Sequence, residues 1–280
     1  MIPFGERLAA AVAARRSQIV LGLDPDPARI PGGAVGAERF CREVIDRAAD
    51  YCVAAKPQLA CFERFGSDGW AAFEAVAAAA SDAGLLVIAD AKRGDIDATA
   101  RAYADAFLRH PIDALTVNPM LGGDAVAPFL DAAAAGGRGL FVLVRTSNPG
   151  AADLQDLPLA DGRLWHEAVA DLVAGWGATT VGPAGLSSVG AVVGATVPEN
   201  LAAIRARMPA QPFLVPGVGA QGGRPEDLGA AFGGHEAGAL VSASRSIIYA
   251  DDPASAAREL RDTVWGAWTA SRGEPGDHVD

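Results

Sequence analysis

Residues 85–99 read LLVIADAKRGDIDAT, and this stretch indicates how the chain folds. Its first five residues are apolar, and residues 85–90 predict a buried strand that ends at Asp90. Charged residues surround Lys92 directly after this strand, and a helix-forming, Ala-rich stretch comes next. Apolar strands without polar alternation, each leading into a helix, are typical of a parallel sheet that is covered on both faces.

The same strand–helix unit recurs on both sides of this stretch. Counting it, we predict eight strands, at residues 19–23, 52–56, 85–90, 114–117, 140–144, 192–195, 213–216 and 239–242. Eight such units in about 250 residues fit a closed barrel better than an open sheet. The predicted fold is therefore α/β, a single-domain (β/α)8 TIM barrel.

The predicted helices set the limits of this barrel. Among them are helices at 69–83 and 198–208, a leading helix at 4–16 that plugs the barrel bottom, and a closing helix at 253–271. We assign residues 1–272 to one catalytic barrel domain and residues 273–280 to a flexible tail. The Gly-rich stretch 181–190 is either a surface excursion or a misassigned strand.

Composition narrows the classes of function. The 280 residues are 50% hydrophobic, which supports a sizeable core, and the net charge of −11 without a basic run argues against nucleic-acid binding. The three cysteines lack metal-site spacing and suit a reducing compartment. The N-terminus lacks the apolar core of a signal peptide, and no uninterrupted apolar stretch reaches 18 residues. We expect a soluble, cytoplasmic protein with no membrane partner.

Lys56 and Lys92 are the only lysines among 23 basic residues. An amine can shift its pKa and transfer a proton, whereas a guanidinium stays charged. Asp90 and Lys92 are two residues apart on an extended segment and should share a face. After Gly94 allows a turn, Asp95 and Thr99 would be i,i+4 neighbours on the next helix. The alternative is a surface ion-pair cluster at a helix start.

Two more charged residues stand at predicted strand ends. Asp24 closes the first strand and Lys56 closes the second. The first three strands would thus bring Asp24, Lys56, Asp90 and Lys92 to one rim, where chemistry gathers in such barrels. Asp24 alone could be an Asx-turn before proline, and Lys56 a partner for a carboxylate. These four charged residues would form a network that either supports the fold or fixes the protonation state and position of a lysine.

The loops after strands five, seven and eight carry further candidates. PGVGAQGG at 216–223 contains a weak G-x-G-x-x-G pattern, but in a barrel its amides, Gln221 and Arg245 would suit a phosphate. The alternative to a phosphate site is that these are Gly-rich turns and a solvated arginine without a binding role. RTSNPG at 145–150 offers the hydroxyl of Ser147 to a heterocycle, although such a string is first of all a turn. No role is assigned to the four histidines.

The string formed by Asp90, Lys92, Asp95, Ile96 and Thr99 resembles the D-x-K-x-x-D-I-x-x-T motif of the orotidine 5′-phosphate decarboxylase family. Further motifs support the resemblance to this family: LGLDPDP at 21–27, the strand end at Lys56, RTSNPG, PGVGAQGG and SRS at 244–246. The length of the chain and its 181–190 insertion are similar to the longer bacterial branch. The ending RSIIY departs from the usual R-S-I-Y by one residue, so no role is carried to Tyr249.

The resemblance implies decarboxylation of orotidine monophosphate to UMP in de novo pyrimidine biosynthesis, with no metal or organic cofactor. It also implies a homodimer in which each protomer contributes to the site of its partner. The implied catalytic residues are Lys92, Asp90 and Asp95; Asp24 and Lys56 would bind the ribose, Ser147 the pyrimidine, and Gln221 and Arg245 the phosphate. Asp95 and Thr99 would be the residues given to the partner's site.

Several other functions remain open from the sequence. A sugar-phosphate decarboxylase or aldol-type lyase on a related barrel shares the D-x-K-x-x-D string but uses a metal. A Schiff-base aldolase is disfavoured because flanking Asp90 and Asp95 should keep Lys92 protonated. A non-catalytic barrel that binds a phosphometabolite is another alternative, and it predicts that the nucleotide is bound but not converted. A nicotinamide dehydrogenase lacks the acidic ribose-binding residue that its glycine motif requires.

Overall fold

A closed barrel of parallel strands forms the centre of the computed structural model, which describes residues 1–195, 198–218 and 223–272. Within these residues eight strands pair in chain order, and Ile19 of the first lies opposite Val241 of the last, which closes the ring. The strands are β1 (Ile19–Leu23), β2 (Ala54–Pro57), β3 (Leu86–Arg93), β4 (Ala114–Val117), β5 (Gly139–Arg145), β6 (Val189–Val193), β7 (Phe213–Pro216) and β8 (Ala239–Ala243). The predicted (β/α)8 barrel is confirmed.

Helices surround the barrel and connect successive strands. They are α1 (Phe4–Arg15), α2 (Gly33–Ala48), α3 (Leu59–Glu63), α4 (Gly66–Asp82), α5 (Asp97–Phe107), α6 (Gly123–Gly136), α7 (Trp165–Gly177), α8 (Pro198–Arg207), α9 (Gly229–Phe232), α10 (Arg245–Ile248) and α11 (Pro253–Ser271). Among the described residues no helix is both long and apolar enough to cross a membrane. The tail expected at 273–280 lies outside the described residues.

Helix α1 fills one end of the barrel, as predicted for the leading segment. Its residues Phe4, Leu8 and Val12 are fully buried and pack against inward-facing side chains of the strands. Phe4 meets Phe141 of β5 edge to face at 5.9 Å between ring centroids. A Cβ at Gly139 would lie 2.3 Å from the Phe4 ring, so only glycine fits where β5 begins. This plug leaves the opposite, C-terminal rim of the strands open.

The stretch 181–190 is partly a strand, and the prediction that β6 covers 192–195 was wrong. β6 begins earlier, at Val189, and ends at Val193, while residues 182–186 turn back toward α1. Ser187 and Ser188 precede β6 and are buried, with hydroxyls bonded to Gly177 O and Gly5 N. Polar residues satisfied in this way make the start of a buried strand look like a loop in the sequence.

The junction after β3 also differs from the prediction. Helix α5 begins at Asp97, so Asp95 lies in the connector and not on the helix with Thr99. The Asp95 carboxylate instead accepts a hydrogen bond from the Ile96 amide at 2.8 Å. Gly94 is needed for close approach, because a Cβ there would lie 2.9 Å from the Asn118 carbonyl oxygen. The left-handed turn itself occurs at Lys92, with φ of 49°.

Candidate active site

A cavity of about 460 Å3 opens at the C-terminal rim of the barrel, a size typical of small-molecule sites. Because the strands are parallel, their C-terminal ends all meet at this rim. The residues that line the cavity include Asp24, Lys56, Gln58, Asp90, Lys92, Thr116, Thr146, Ser147, Asn148, Ser242, Ser244 and Arg245. Six of the nine predicted site residues are therefore brought together in one chain.

Asp90 is the centre of the polar network in this cavity. Its Oδ2 accepts hydrogen bonds from Lys56 Nζ at 2.6 Å and Gln58 Nε2 at 3.1 Å. Its Oδ1 accepts from Lys92 Nζ at 2.5 Å and Thr116 Oγ1 at 3.0 Å. Four donors thus hold one buried carboxylate, and two of them are cations.

The ionisation of this network follows from its pairing. Burial alone would raise the pKa of Asp90, but the charges and hydrogen bonds of Lys56 and Lys92 outweigh it, and the pKa lies well below its usual range. Burial alone would lower the pKa of Lys56, but Asp90 and Asp24 outweigh it and raise that pKa. Asp90 is therefore an anion and Lys56 a cation at neutral pH.

Lys92 differs from Lys56 in its backbone and in its exposure. The side chain of Lys92 is 43% exposed at the cavity, whereas that of Lys56 is 8% exposed. A β-bulge between Ala89 and Arg93 and the left-handed φ of Lys92 turn its backbone, and its amide donates to Thr116 Oγ1 at 2.9 Å. A non-glycine residue held at positive φ is strained, and such strain is often found at functional sites. Asp90 and Lys92 meet as predicted, but through a bulge and not a regular strand.

The predicted ribose and phosphate residues lie along one side of the cavity. Asp24 follows β1 directly, and its buried Oδ1 has no hydrogen-bond partner among the described residues. Arg245 begins α10, just after β8, and is exposed at the cavity mouth. Gln221 lies outside the described residues.

The segment Thr146–Ser147–Asn148 forms the facing wall, and a later part of the chain holds it. Gln155 accepts from the Thr146 amide at 2.7 Å and donates to the Thr146 hydroxyl at 3.0 Å. Arg145, at the end of β5, makes a bidentate pair with Asp156, with both N–O distances 2.8 Å.

Buried His166 completes this contact. Its Nδ1 lies 2.8 Å from the Gln155 carbonyl oxygen and 3.1 Å from the Asp156 carboxylate. Gln155 and Asp156 therefore fix the position of a wall that their own side chains do not line.

Asp95 and Thr99 do not line this cavity. Thr99 is exposed on α5, and Asp95 is partly exposed in the connector before it. Large apolar side chains that follow β3 and β4 are also exposed, with Ile96 at 51%, Met120 at 59% and Leu121 at 53%.

Gln58, Thr116, Gln155 and Asp156 were missed by the sequence reasoning. Gln58 is two residues after Lys56, and the two-residue period of a strand could have placed them together. Thr116 lies within a short apolar strand, and no motif marks Gln155 or Asp156. In the part of the chain that is described, no group of three or more His, Cys, Asp and Glu side chains could hold a metal ion.

Known proteins resemble the chain over most of its length. Residues 17–260 match the orotidine 5′-phosphate decarboxylase / HUMPS family. Orotidine 5′-phosphate decarboxylase of Rhodopirellula baltica is 42% identical over 271 residues, covering 89% of each chain. That of Haloarcula marismortui is 44% identical over 263 residues, covering 91% of this chain and 90% of the relative. The structure of Leishmania donovani OMP decarboxylase covers 97% of this chain and all of that one, with 37% identity and a TM-score of 0.82.

Proposed function

The chain belongs to the orotidine 5′-phosphate decarboxylase / HUMPS family, and from this premise we propose that Lys92 and Asp90 perform its chemistry. The protein is a carbon–carbon lyase that converts orotidine 5′-monophosphate to UMP in pyrimidine biosynthesis. The observation that carries the proposed roles is the cavity network in which Asp90 binds both Lys56 and Lys92.

Loss of CO2 from C6 of the pyrimidine leaves an electron pair in an sp2 orbital orthogonal to the ring π system. The ring cannot delocalise this charge, so stabilisation must come from a cation that is already in position. The ammonium of Lys92 is held by Asp90 and is exposed to the cavity. We propose that it stabilises the developing carbanion and then donates a proton to C6.

Asp90 fixes the position of Lys92 and sets the charge that the substrate meets. Lys56, Asp90 and Lys92 together carry one net positive charge, because one carboxylate is shared by two ammonium groups. An Asp90 carboxylate beside the substrate carboxylate would repel it, and departure of CO2 would relieve that repulsion. With Asp24 and Arg245 counted as well, the charged side chains that line the cavity still carry one formal positive charge, which favours an anionic substrate despite this repulsion.

The other cavity residues suit the remaining parts of the nucleotide. We propose that Asp24 and Lys56 bind ribose hydroxyls, that Ser147 binds the pyrimidine edge, and that Arg245 binds the phosphate together with Gln221. The unpartnered Oδ1 of Asp24 supports its role, because a buried acceptor requires a donor. Binding of the remote phosphate can drive closure of the site over the reacting ring.

We propose that the active form is a homodimer in which Asp95 and Thr99 enter the partner's site, with Asp95 among the catalytic residues. Both lie outside the cavity of their own chain, and Ile96 beside them exposes a large apolar side chain. Exposed apolar groups around a polar pair are typical of a surface that another chain covers. A cytoplasmic location is proposed as well, and the three free cysteines are compatible with a reducing compartment.

A spectrophotometric assay with orotidine monophosphate and excess chelator tests the function. We expect conversion to UMP at the same rate with and without chelator. Lys92→Ala protein purified in the same way serves as the control for contaminating host decarboxylase. Absence of turnover, or turnover that the chelator abolishes, would favour a metal-dependent sugar-phosphate enzyme on the same barrel.

A further inference from the structure

Tyr249 directly follows α10 and makes two hydrogen bonds to the segment that follows β1. Its hydroxyl accepts from the Asp26 amide at 2.8 Å and donates to the Asp24 carbonyl oxygen at 3.3 Å. The hydroxyl therefore bridges residues on both sides of Pro25. Tyr249 is not among the residues that line the cavity, so any effect on the substrate must pass through another residue.

The segment that Tyr249 holds has few other means of fixing its backbone. Pro25 and Pro27 have no amide hydrogen, so Asp26 supplies the one amide donor within residues 25–27. That donor is used by Tyr249. The Asp26 carboxylate accepts from the Ala28 amide at 3.0 Å, and the Asp26 carbonyl oxygen accepts from the Arg29 and Ile30 amides, which shapes the turn but does not tie it to the barrel. The Gln58 amide donates to the Leu23 carbonyl oxygen at 3.1 Å and ties β1 to the chain after β2 only as far as the residue before Asp24.

The ring of Tyr249 is itself held on two sides. The guanidinium carbon of Arg29 lies 4.1 Å from the ring centroid, and Phe40 of α2 stacks against the ring at 5.6 Å with an interplanar angle of 23°. These contacts use the ring and not the hydroxyl. The hydroxyl can therefore be removed while the packing of the ring is kept.

β1 and β8 approach each other closely where Tyr249 joins them. A Cβ at Gly22 would lie 2.8 Å from Ser244 Cβ, so only glycine allows this approach. Asp24 Oδ1 and Ser244 Oγ are both buried, both lack a hydrogen-bond partner among the described residues, and both residues line the cavity. Unpaired polar atoms at this seam point to polar groups of a ligand as their partners.

We infer that Tyr249 is a positioning residue that fixes the backbone of Asp24, and thereby the recognition of ribose hydroxyls by its carboxylate. The inference rests on the ribose-binding role proposed above for Asp24. It gives a function to the tyrosine in which the RSIIY ending departs from the usual family pattern. Since Arg245 begins the same short helix, α10 connects the proposed phosphate site to the proposed ribose site.

The test compares Tyr249→Phe with Tyr51→Phe. Tyr51 is a matched control, because its hydroxyl makes no hydrogen bond to another residue of the described chain and its ring lies under Arg261. We expect Tyr249→Phe to raise KM for orotidine monophosphate about fivefold with a much smaller change in kcat, as for loss of one or two net hydrogen bonds. Tyr51→Phe should leave both constants unchanged.

Inhibition by UMP and by its 2′-deoxy and 3′-deoxy analogues separates positioning from a general loss of structure. Asp24→Asn should weaken the binding of UMP about thirtyfold. It should weaken far less the binding of the analogue that lacks the ribose hydroxyl contacted by Asp24. Tyr249→Phe should reduce the discrimination between UMP and the analogue that lacks this hydroxyl. Added to Asp24→Asn, Tyr249→Phe should weaken binding little further.

If Tyr249→Phe weakens UMP and both analogues equally, or weakens none of them, discrimination between them is unchanged and the inference is overturned. Unchanged discrimination in Asp24→Asn would instead show that the ribose role of Asp24 is wrong, and the inference would fall with it. Failure of the wild-type protein to convert orotidine monophosphate would contradict the proposed function separately.

Discussion

At the scale of single residues, the site depends on how many donors one carboxylate holds. Asp90 accepts from Lys56, Gln58, Lys92 and Thr116, so both of its oxygens are saturated. A side chain held in this way cannot rotate without losing charged hydrogen bonds, each worth about 1.5–3 kcal/mol. Lys92 is therefore held by a carboxylate of fixed position, although its side chain is exposed to the cavity.

Replacement of Lys92 tests the need for both charge and a proton. Lys92→Ala should abolish measurable turnover, and Lys92→Arg should lower kcat by about 1,000-fold or more, because a guanidinium keeps its proton. UMP binding should stay largely intact in both variants, which isothermal titration would measure. Near-normal turnover in either variant would mean that the proton comes from another group.

Asp90 also makes stability depend on pH. A carboxyl whose folded pKa is depressed contributes stability above its unfolded pKa of about 4, and this contribution is lost as pH falls toward the folded pKa. Asp90→Asn should cost about 3–5 kcal/mol at pH 7, because it leaves Lys56 buried without its carboxylate.

Urea unfolding at several pH values measures this dependence. The difference between wild type and Asp90→Asn should be constant from pH 5 to pH 7 and should shrink below pH 4. A difference that grows toward acid pH would contradict the assigned ionisation of Asp90.

The sequence predicted the charged residues of the network but not its neutral ones. Lys56, Asp90 and Lys92 stand at or near the ends of apolar strands, where a charged residue is easily noticed, and Asp24 stands in the same way after β1 although it makes no hydrogen bond to Asp90. Gln58 and Thr116 stand beside them, but an amide or a hydroxyl at such a position has many ordinary uses. Residues whose role depends on a partner far away in the chain leave no local pattern.

At the scale of elements, the connector between β5 and α7 determines one wall of the cavity. Gln155 bonds the Thr146 backbone and Asp156 clamps Arg145, so the segment that carries Ser147 is held from outside. Their positions explain why the turn-like RTSNPG string can form an ordered wall. None of this could be predicted, because the nine residues between Arg145 and Gln155 carry no periodic pattern.

Loss of this clamp should affect the pyrimidine end of the ligand alone. Gln155→Leu should weaken UMP binding about fivefold, as expected when a reciprocal pair of hydrogen bonds is lost. Binding of ribose 5-phosphate, which has no pyrimidine, should change little. Asp153→Ala, on an exposed position of the same connector, is the control and should match wild type. Equal weakening of both ligands by Gln155→Leu would assign the clamp to the fold and not to pyrimidine recognition.

The elements themselves were predictable where burial is uniform. β1, β4 and β7 have the predicted bounds because they are short, mainly apolar runs that polar, proline or glycine residues flank. β6 was misplaced because serines with satisfied hydroxyls precede it, and the start of α5 was misplaced because Asp97 begins the helix with φ of 47°. In both cases a tertiary contact or an unusual dihedral outweighed the local pattern.

At the scale of the whole molecule, the barrel separates stability from chemistry. Helix α1 and the Phe4–Phe141 contact fill the N-terminal end, while the charged network lies at the opposite rim. If the site also needs residues of a second chain, as proposed, activity requires the assembly of two barrels in addition to a stable core and an ordered rim. Asp95 and Thr99 are the residues through which this requirement can be tested.

Mixing two inactive variants tests the shared site. In a dimer of Lys92→Ala and Asp95→Ala chains, one site has lost both residues and the other retains both. Random assembly of equal amounts makes about half of the dimers hybrid, each with one of two sites intact, so about a quarter of wild-type activity should return. The measurement is turnover of orotidine monophosphate after the two chains are unfolded together and refolded.

The control is a mixture of Lys92→Ala and Asp90→Ala. Lys92 and Asp90 bond to each other within one chain, so every hybrid dimer of these variants has one defect in each site and should stay inactive. Recovery in the first mixture and not in the second requires Asp95 to act across the interface. If native mass spectrometry detects hybrid dimers of Lys92→Ala and Asp95→Ala while no activity returns, Asp95 acts within its own chain and the proposed sharing is wrong.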